Sequence, residues 1–310
     1  MKRSPANIAV LGSINMDLML RCATLPSAGE TVRADSVTEV CGGKGANQAV
    51  AAARAGGEVT LIGRVGDDAF SGRLLANLLR EKINCQWVQT TDHCASGLAI
   101  VAVEQSGQNS IVIVPGANAR LCVADVENAR SAIEASDLLL VQLEIPLETA
   151  LAGIAIARNA NVRVILDPAP APSTWPPEML DVDLICPNEA EAATLLGESL
   201  CERERLVSAA EELQRRGAKN VAITLGQNGT LLRQGDESRH VDSYPITAVD
   251  TTAAGDAFAG ALVVVWAEGW QLSDAVNFAN AAGALAASRW GAQPGLPWRH
   301  EVERLYGTEP

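Results

Sequence analysis

Two short segments of small residues lead into helical patterns, and each carries side chains suited to phosphoryl transfer. The later segment covers residues 250–258 and reads Asp-Thr-Thr-Ala-Ala-Gly-Asp-Ala-Phe. Backbone N–H groups at such a helix start lack partners, so they bind anions and stabilise charge on a phosphoryl group. Asp256 lies beside this predicted anion hole, where a carboxylate can accept the proton of a hydroxyl. The alternative role of Asp256 is that of a helix N-cap, which is commoner for an aspartate at this position.

The earlier segment covers residues 41–49 and reads Cys-Gly-Gly-Lys-Gly-Ala-Asn-Gln-Ala. Its glycines let the backbone approach a ligand closely, and Lys44 and Asn47 can present a cation and an amide to one polar ligand. The segment is not a P-loop, because Gly45 stands where Ser or Thr must bind magnesium. The chain also lacks the Gly-x-Gly-x-x-Gly fingerprint, which argues against a nicotinamide-dependent dehydrogenase. The alternative is a glycine-rich helix start with a solvated lysine.

Alternating strands and helices are needed to position these segments. Short β-branched runs predict strands at residues 8–12, 59–63, 138–143, 162–167, 184–186 and 221–225. Ala- and Leu-rich stretches predict helices at residues 46–55, 69–82, 147–159, 203–216, 256–268 and 273–289. This alternation is typical of a three-layer α/β fold, with helices on both faces of a doubly wound, mainly parallel sheet. Ligands of such sheets bind beyond the carboxyl ends of the strands.

Two stretches break the alternation. Residues 18–40 contain Pro26, Gly29 and short alternating segments, and residues 97–103 and 110–114 flank a predicted turn at 104–109, as in a β-hairpin. We expect a single domain over residues 1–310, with a small β-sheet lid formed by about 13–41 and 97–115. The alternative is that both stretches are ordinary surface loops.

Polar residues follow the predicted strands at the edge where ligands are expected. They are Asn15 and Asp17, Glu144, Asn188 and Glu191, and Thr224, Gly226 and Gly229 with their neighbours. Carboxylates and amides suit a polyhydroxylated ligand, because each sugar hydroxyl both donates and accepts a hydrogen bond. Any one of these residues alone is more often a loop cap, so the inference rests on their concentration.

Composition excludes several classes of protein. Hydrophobic residues make up 48% and charged residues 20% of the 310 residues, as in a globular chain, and the formal net charge of −13 disfavours nucleic acid and anionic membranes as partners. Seven scattered cysteines, without a Cys-x-x-Cys pair, and three histidines argue against a disulfide framework or a zinc site and favour the reducing cytoplasm. The apolar run at residues 261–267 is too short to span a membrane, and residues 8–12 indicate a core strand rather than a signal peptide.

The ordered motifs of the chain resemble those of the ribokinase-like, or phosphofructokinase-B type, carbohydrate kinases over almost its whole length. The matching segments are residues 12–17 (Gly-Ser-Ile-Asn-Met-Asp), 42–49, 142–144 (Gln-Leu-Glu), 167–171 (Asp-Pro-Ala-Pro-Ala), 187–189 (Pro-Asn-Glu), 250–258 and 291–294 (Gly-Ala-Gln-Pro). Residues 15–17, 42–48 and 142–144 are most similar to the ribokinase branch. The resemblance implies ATP-dependent phosphorylation of D-ribose at its 5-hydroxyl, giving D-ribose 5-phosphate and ADP.

The resemblance also implies roles at matching positions. Asp256 is the expected general base, with the amides of Ala253, Ala254 and Gly255 as the anion hole. The sugar would be held by Asn15, Asp17, Gly43, Lys44, Asn47 and Glu144. Asn188 and Glu191 would organise Mg²⁺ and phosphates, and Thr224, Gly226, Gly229 and Asn280 would border ATP. A monovalent cation, usually K⁺, would be held mostly by backbone oxygens at Asp250, Thr252, Ala287, Trp290, Ala292 and Gly295.

Two positions depart from the family pattern. Gly295 replaces a common serine, which removes one oxygen ligand for the cation, and Asn280 stands where some ribokinases carry histidine beside the adenine. The resemblance implies a homodimer formed through the lid. A sister kinase for deoxyribose, fructose or a nucleoside stays open, although residues 18–40 and 97–114 contain no aromatic side chain to line a nucleoside pocket. A non-catalytic sugar-binding regulator is the remaining alternative, and it would be expected to lack Asp256.

Overall fold

The computed structural model describes residues 5–104, 109–199 and 203–307. The predicted turn at 104–109 falls mostly outside these residues, as do Cys201 and the first four residues. Within them, helices and strands alternate as the sequence predicts, and the predicted α/β class with a large, mainly parallel sheet and a smaller sheet is confirmed. No helix in these three ranges combines the length and the apolar character needed to cross a membrane.

The strands are β1 (Asn7–Leu11), β2 (Asn15–Cys22), β3 (Ala34–Gly42), β4 (Glu58–Gly66), β5 (Asn84–Thr91), β6 (Gly97–Glu104), β7 (Asn109–Val114), β8 (Leu138–Gln142), β9 (Arg163–Asp167), β10 (Leu184–Ile185), β11 (Asn220–Thr224), β12 (Thr230–Gln234) and β13 (Glu237–Val241). The helices are α1 (Lys44–Arg54), α2 (Ser71–Arg80), α3 (Val123–Asn128), α4 (Arg130–Glu134), α5 (Leu147–Asn159), α6 (Glu189–Leu196), α7 (Arg203–Arg215), α8 (Ala254–Ala267), α9 (Leu272–Ala287), α10 (Ala292–Gly295) and α11 (Arg299–Tyr306).

The large sheet has nine strands in the order β13-β12-β11-β10-β9-β8-β1-β4-β5. Neighbouring strands from β11 to β5 are parallel, and the β11–β12 and β12–β13 pairs are antiparallel. The strand order reverses at β1, which lies between β4 and β8. Ligands of open α/β sheets bind in the crevice beyond the strand ends at such a switch point. The residues that follow β1 are therefore placed at the expected ligand edge.

The smaller sheet has four strands in the order β3-β2-β6-β7, and both interruptions of the alternation contribute to it. Strand β2 pairs antiparallel with β3 and parallel with β6, and β6 pairs antiparallel with β7. Only three residues separate the end of β1 from the start of β2. The smaller sheet thus starts directly at the switch point of the large one.

The two faces of the large sheet bury separate apolar clusters, as the alternation of side chains along each strand requires. On β1, Ile8 and Val10 pack towards α1, α8 and α9, whereas Ala9 and Leu11 pack towards α5 and its neighbours. On β8, the first of these faces carries Leu138 and Leu140. Gln142 lies on the same face, because side chains alternate along a strand. This face carries the two helices that begin at the glycine-rich segments.

Several elements differ from the sequence-based prediction. Strand β5 and the β12–β13 hairpin are not predicted by the sequence patterns. Helix α1 begins at Lys44 rather than residue 46, and α8 begins at Ala254 rather than residue 256. Lys44 and Asp256 therefore belong to the first turns of their helices.

Candidate active site

Glycines bring the end of β1, the start of β2 and the start of α1 into close contact. Gly43 has φ +87°, and a Cβ there would lie 2.6 Å from the backbone nitrogen of Asn15. A Cβ at Gly42 would overlap the Asp17 carboxylate. A Cβ at Gly45 would lie 2.6 Å from the backbone nitrogen of Ser13. These positions tolerate only glycine without rearrangement, and they place Asn15, Asp17 and the first turn of α1 around one space.

Asp256 points towards α1 from the first turn of α8. Its Oδ2 accepts a hydrogen bond from Asn47 Nδ2 at 2.9 Å, and its Oδ1 accepts one from Gln48 Nε2 at 3.1 Å. The N-cap of α8 is Ala253, so the capping alternative for Asp256 is wrong. The carboxylate is buried and is held by side chains of a different helix, which is the arrangement of an oriented base.

Four carboxylates act on the Lys44 ammonium group through their charges. Burial alone would lower the pKa of Lys44, but Asp256, Asp167, Glu144 and Glu191 raise it above its ordinary value. Lys44 is therefore a fixed cation, and it counteracts the effect of burial on its neighbours. Burial raises the pKa of Asp256, whereas Lys44 and the Asn47 amide oppose that rise.

The surroundings of the Asp17 carboxylate all disfavour its negative charge. Burial, followed by the negative charges of Glu144 and Asp256, raises the pKa of Asp17 from 3.8 to about 7. Its Oδ1 is buried without a hydrogen-bond partner among the described residues, as are Asn47 Oδ1 and Gln48 Oε1. Buried acceptors without donors are costly. A ligand rich in hydroxyl donors would supply what the oxygens of Asp17 and Asn47 lack.

Hydrogen bonds fix the remaining predicted sugar-binding residues. Ser13 Oγ donates to Glu144 Oε2 at 2.6 Å, and the Lys44 backbone N–H donates to the same oxygen at 3.3 Å. Asn118 Nδ2 donates to Asn15 Oδ1 at 2.7 Å, and the Ile14 backbone N–H donates to Asn118 Oδ1 at 2.9 Å. Glu144 and Asn15 thus reach the same region as Asp17, from β8 and β2 respectively.

A cavity of about 1000 Å³ adjoins the start of α8 and extends along the sheet edge. The predicted nucleotide residues all line it, namely Thr224, Gly226, Gly229 and Asn280, together with Ala254 and Gly255 of the predicted anion hole. The side chain of Asn280 is used within the protein. It donates to the carbonyls of Val241 and Asp242 and accepts from Thr230 Oγ1 at 2.7 Å. Asn280 therefore shapes this cavity by holding β12 and the end of β13 against α9.

The backbone of the predicted anion hole has two notable features. Ala253 has φ +59°, a left-handed conformation that is uncommon for a residue other than glycine. The Ala254 N–H donates to the Thr251 carbonyl at 3.2 Å. The turn that precedes α8 is therefore tightly wound, and Gly255 N–H and Asp256 N–H belong to the first turn of the helix, where intrahelical partners are missing.

Asn188 and Glu191 form a capping box at the start of α6. Asn188 Oδ1 accepts from the Glu191 N–H, and Glu191 Oε2 accepts from the Asn188 N–H, each at 2.8 Å. The capping alternative is confirmed for this pair. An isolated parallel bridge joins Asn188 to Thr224, which puts the pair at the edge of the large sheet beside the cavity. Glu191 also acts on Lys44 and Asp167 through its charge.

The predicted cation-binding positions come together around the loop that joins α9 to α10. Asp250 Oδ1 and Oδ2 accept from the N–H groups of Thr252 and Gly291, each at 2.9 Å. The Ala287 carbonyl accepts from the N–H groups of Val249 and Asp250, which fills both of its lone pairs. A Cβ at Gly295 would lie 3.6 Å from the carbonyl oxygens of Ala286 and Trp290. Ala292 begins α10 and is buried beside them.

Three buried residues of this site were given no role by the sequence analysis. Gln48 connects Asp256 to Asp167, and Asn118 connects β2 to the loop after β7. Gln142 is fully buried beside Gly12, where any Cβ would overlap its amide. Gln48 and Gln142 belong to the segments 42–49 and 142–144, but the sequence does not show what surrounds either side chain.

Comparisons with known proteins agree with this geometry. The family model described as pfkB family carbohydrate kinase matches residues 5–299. The chain is 40% identical over 299 residues to a protein named ribokinase from Bacillus subtilis, covering 96% of this chain and 99% of that protein. It is 34% identical over 297 residues to a deoxyribokinase of Salmonella typhi, covering 94% and 95%.

A solved structure of Arabidopsis thaliana ribokinase, complexed with ribose and ATP, is similar with a TM-score of 0.90 and 33% identity, covering 99% of this chain and 100% of that one. The matched length, the sequence identity and the shared fold lead to one conclusion. The chain belongs to the pfkB family of carbohydrate kinases.

Proposed function

We propose that this protein is an ATP-dependent ribokinase, which transfers the γ-phosphoryl group of ATP to the 5-hydroxyl of D-ribose. The observation that carries the proposal is the buried Asp256 carboxylate in the first turn of α8. Both of its oxygens accept hydrogen bonds from side chains of α1. Around it, Asp17 Oδ1 and Asn47 Oδ1 have no hydrogen-bond donor among the described residues, as a site for a small polyhydroxylated ligand requires. Several relatives across the length of the chain are named ribokinases.

In this mechanism ribose is bound by Asn15, Asp17, Lys44, Asn47 and Glu144, with Gly43 allowing its close approach. The hydroxyls donate to the carboxylate and amide oxygens, and Lys44 donates to a sugar oxygen. The smaller sheet closes over the sugar as a lid and excludes water, which would otherwise compete as the phosphoryl acceptor. Asp256 accepts the proton of the 5-hydroxyl as its oxygen attacks the γ-phosphorus atom in line.

ATP occupies the cavity of about 1000 Å³, with its γ-phosphate at the start of α8. The adenine ring of ATP would lie along the side of the cavity formed by Thr224, Gly226, Gly229 and Asn280. The N–H groups of Gly255 and Ala253 would face the developing negative charge, and the dipole of α8 would add to their effect. The Ala254 N–H, predicted as a third donor, is used by the Thr251 carbonyl. Transfer needs no covalent intermediate, since positioning and charge stabilisation supply most of the catalysis.

Mg²⁺ fits the donor chemistry at the strand ends. Asp167 and Glu191 are hard oxygen donors beside Asn188, and magnesium is commonly held through one or two carboxylates, water and substrate phosphates. A cage made entirely of protein side chains is absent from the described ranges, which contain no metal-binding cluster of three or more His, Cys, Asp or Glu. When bound, the ion would neutralise charge on the phosphates.

K⁺ would be held by the loop around Asp250, Thr252, Trp290, Ala292 and Gly295. Ala287, also predicted, would act by fixing this loop, because its carbonyl accepts from the N–H groups of Val249 and Asp250. The carbonyl oxygens of Trp290 and Ala286 converge beside Gly295, and neutral oxygens suit a monovalent cation. Because Asp250 accepts from Thr252 N–H at the turn before α8, the loop can fix the conformation of the anion hole.

A homodimer formed through the smaller sheet is supported by its exposed apolar residues. Val37 of β3 is 60% exposed and Val112 of β7 is 58% exposed. The strand registers Leu20–Val37, Leu18–Ile100 and Ile100–Val112 place them on one face. Exposed apolar residues grouped on one face mark an interaction surface. The six cysteines of the described residues are all free, which supports a cytoplasmic location.

The test is ADP release by the purified protein with Mg-ATP and ribose, deoxyribose, fructose or adenosine, each with potassium or sodium. Turnover on ribose that exceeds turnover on deoxyribose supports the proposal. Preference for deoxyribose, the substrate named for one relative, would move the substrate assignment and keep the mechanism. No turnover on any acceptor, with ribose binding retained, would favour a non-catalytic regulator.

A further inference from the structure

Gln48 occupies a central position between two carboxylates. It follows Asn47 on α1, and its side chain is fully buried. Its Nε2 donates to Asp167 Oδ2 at 2.6 Å and to Asp256 Oδ1 at 3.1 Å. We propose that Gln48 is a positioning residue that fixes the orientation of the general base Asp256 by anchoring it to the end of β9. The inference rests on the proposed role of Asp256 in phosphoryl transfer.

The orientation of the Gln48 amide is determined by its surroundings. An amide nitrogen carries two N–H groups, and each is used on one carboxylate. Gln48 Oε1 has no partner among the described residues, and a flipped amide would turn this oxygen towards Asp167 and Asp256. The two carboxyl groups therefore hold the amide nitrogen in place as acceptors.

The two hydrogen bonds of Gln48 have different consequences. Asp167 is the last residue of β9, in the middle of the large sheet, and β9 pairs with β8 at Gln142. The shorter bond, to Asp167, ties Gln48 to this rigid strand end. The longer bond then restrains Asp256, whose other oxygen is held by Asn47. Consecutive residues of α1 thus donate one hydrogen bond to each oxygen of Asp256, which restricts rotation of its carboxylate.

Close packing of α1 on α8 keeps this geometry. A Cβ at Gly260 of α8 would lie 2.7 Å from the Gln48 carbonyl oxygen and 2.8 Å from Ala52 N, so the two helix backbones approach closely at this glycine. Gly260 lies one turn beyond Asp256. The donor and the base therefore belong to helices whose separation is fixed beside the site.

The charge on Asp256 is also affected by this hydrogen bond. Groups that face its carboxylate are Lys44 on α1, Asp17 on β2, Glu144 after β8 and Asp167 on β9. Burial raises the pKa of Asp256, and the Gln48 hydrogen bond, together with Lys44 and Asn47, opposes the rise. Removal of the Gln48 donor should therefore raise the pKa of Asp256 and shift the acidic limb of the kcat profile to higher pH.

Two variants test the proposal. Gln48→Met removes both donors at similar volume, and Gln48→Glu keeps the shape but replaces the donor by a third carboxyl group. Thr149→Val serves as a control, because it removes a buried hydrogen bond, from Thr149 Oγ1 to the Leu121 carbonyl, on the opposite face of the sheet. Each variant is first checked for folding by circular dichroism and thermal unfolding.

We expect both Gln48 variants to lower kcat by about tenfold to a hundredfold, because a base displaced by about 1 Å has effects of that order. KM for ribose should change by less than about threefold, and the acidic limb should move to higher pH. The Asp256 carboxyl resonance is titrated by carbon NMR without substrate and is assigned with Asp256→Asn. The pH at the midpoint of its titration should also be higher in the Gln48 variants. Thr149→Val should leave the pH profile unchanged.

A folded Gln48→Met protein with wild-type kcat and an unmoved acidic limb would overturn the proposal. Equal losses in all variants, including Thr149→Val, would also overturn it, because they would reflect general destabilisation. If the wild-type protein turns over no sugar, the proposed function fails, and the NMR titration still decides whether Gln48 controls Asp256. If Gln48→Met does not fold, Gln48→Glu provides the same kinetic and NMR measurements.

Discussion

The Asp17 carboxylate should destabilise the free protein at alkaline pH, and Asp17→Asn should remove that cost. A pKa that rises from 3.8 to about 7 corresponds to about 4 kcal/mol, since one pKa unit is worth about 1.4 kcal/mol. Between these two pH values the folded protein holds a proton that the unfolded chain has released. The free energy of unfolding therefore falls as pH rises through this window and levels off above about pH 7.

The magnitude is best measured as a difference between two pH values. From pH 5.5 to pH 8, the stability advantage of Asp17→Asn over the wild type should grow by about 2 kcal/mol, or about 4 °C in Tm for a chain of this size. Urea unfolding at both pH values, without sugar, measures this advantage. Asp35→Asn on β3 is the matched control, because Asp35 is an exposed carboxylate of the same sheet. Its stability change should be the same at both pH values.

The same substitution should weaken ribose binding. A charged oxygen that accepts a sugar hydroxyl contributes about 1.5–3 kcal/mol, so KM for ribose should rise by about tenfold to a hundredfold in Asp17→Asn. A protein that is more stable and yet binds its substrate worse would identify Asp17 as a functional residue kept at a cost in stability. An equal stability advantage of Asp17→Asn at pH 5.5 and pH 8 would show that burial of the Asp17 carboxyl group imposes no pH-dependent cost.

Three further outcomes are expected. Asp256→Asn should lower kcat by about 10²- to 10⁴-fold while calorimetry gives nearly wild-type ribose affinity, since only the proton acceptor is lost; near-normal turnover would remove Asp256 from the role of base. Val112→Arg should convert a dimer into monomers in sedimentation experiments, whereas Leu79→Arg, an equally exposed apolar position on α2, should not; equal behaviour of the two would exclude the smaller sheet as the interface. Gly295→Ser should lower the potassium concentration needed for half-maximal rate, because its Cβ fits at ordinary contact distance beside two carbonyl oxygens; an unchanged potassium titration would argue against this loop as the cation site.

Most of the parallel core could be predicted from the sequence because its strands are buried on both faces. Strands such as β1 and β8 are continuous apolar runs, and α8 is apolar nearly all round. Strand β5 escaped prediction because it is an edge strand, where Gln86, Gln89 and Thr90 interrupt the apolar pattern. The β12–β13 hairpin is short and polar at its turn, so neither strand has a strong alternating signal.

The site was predictable as a set of motifs but not as a network. Small residues before a helix indicate an anion hole, so Asp256 and Lys44 could be singled out in advance. The bond between Gln48 and Asp256 joins residues 208 positions apart, and that between Asn118 and Asn15 spans 103. No local pattern contains such pairs. The interaction at Asn188 could be predicted, because its capping box with Glu191 joins residues only three positions apart.

The charge distribution explains how an acidic chain can bind a polyanion. With a net charge of −13, the field of the protein opposes the approach of ATP. Among the described residues that line the large cavity there is no Lys or Arg. Lys44, which we propose as a sugar ligand, is subject to the charges of four carboxylates. In the proposed mechanism the phosphates are bound by backbone N–H groups and by the dipole at the start of α8, which act only at short range. Such a site would select a ligand by the position of its phosphate groups rather than by its total charge. This selection suits phosphoryl transfer to one hydroxyl of a neutral sugar.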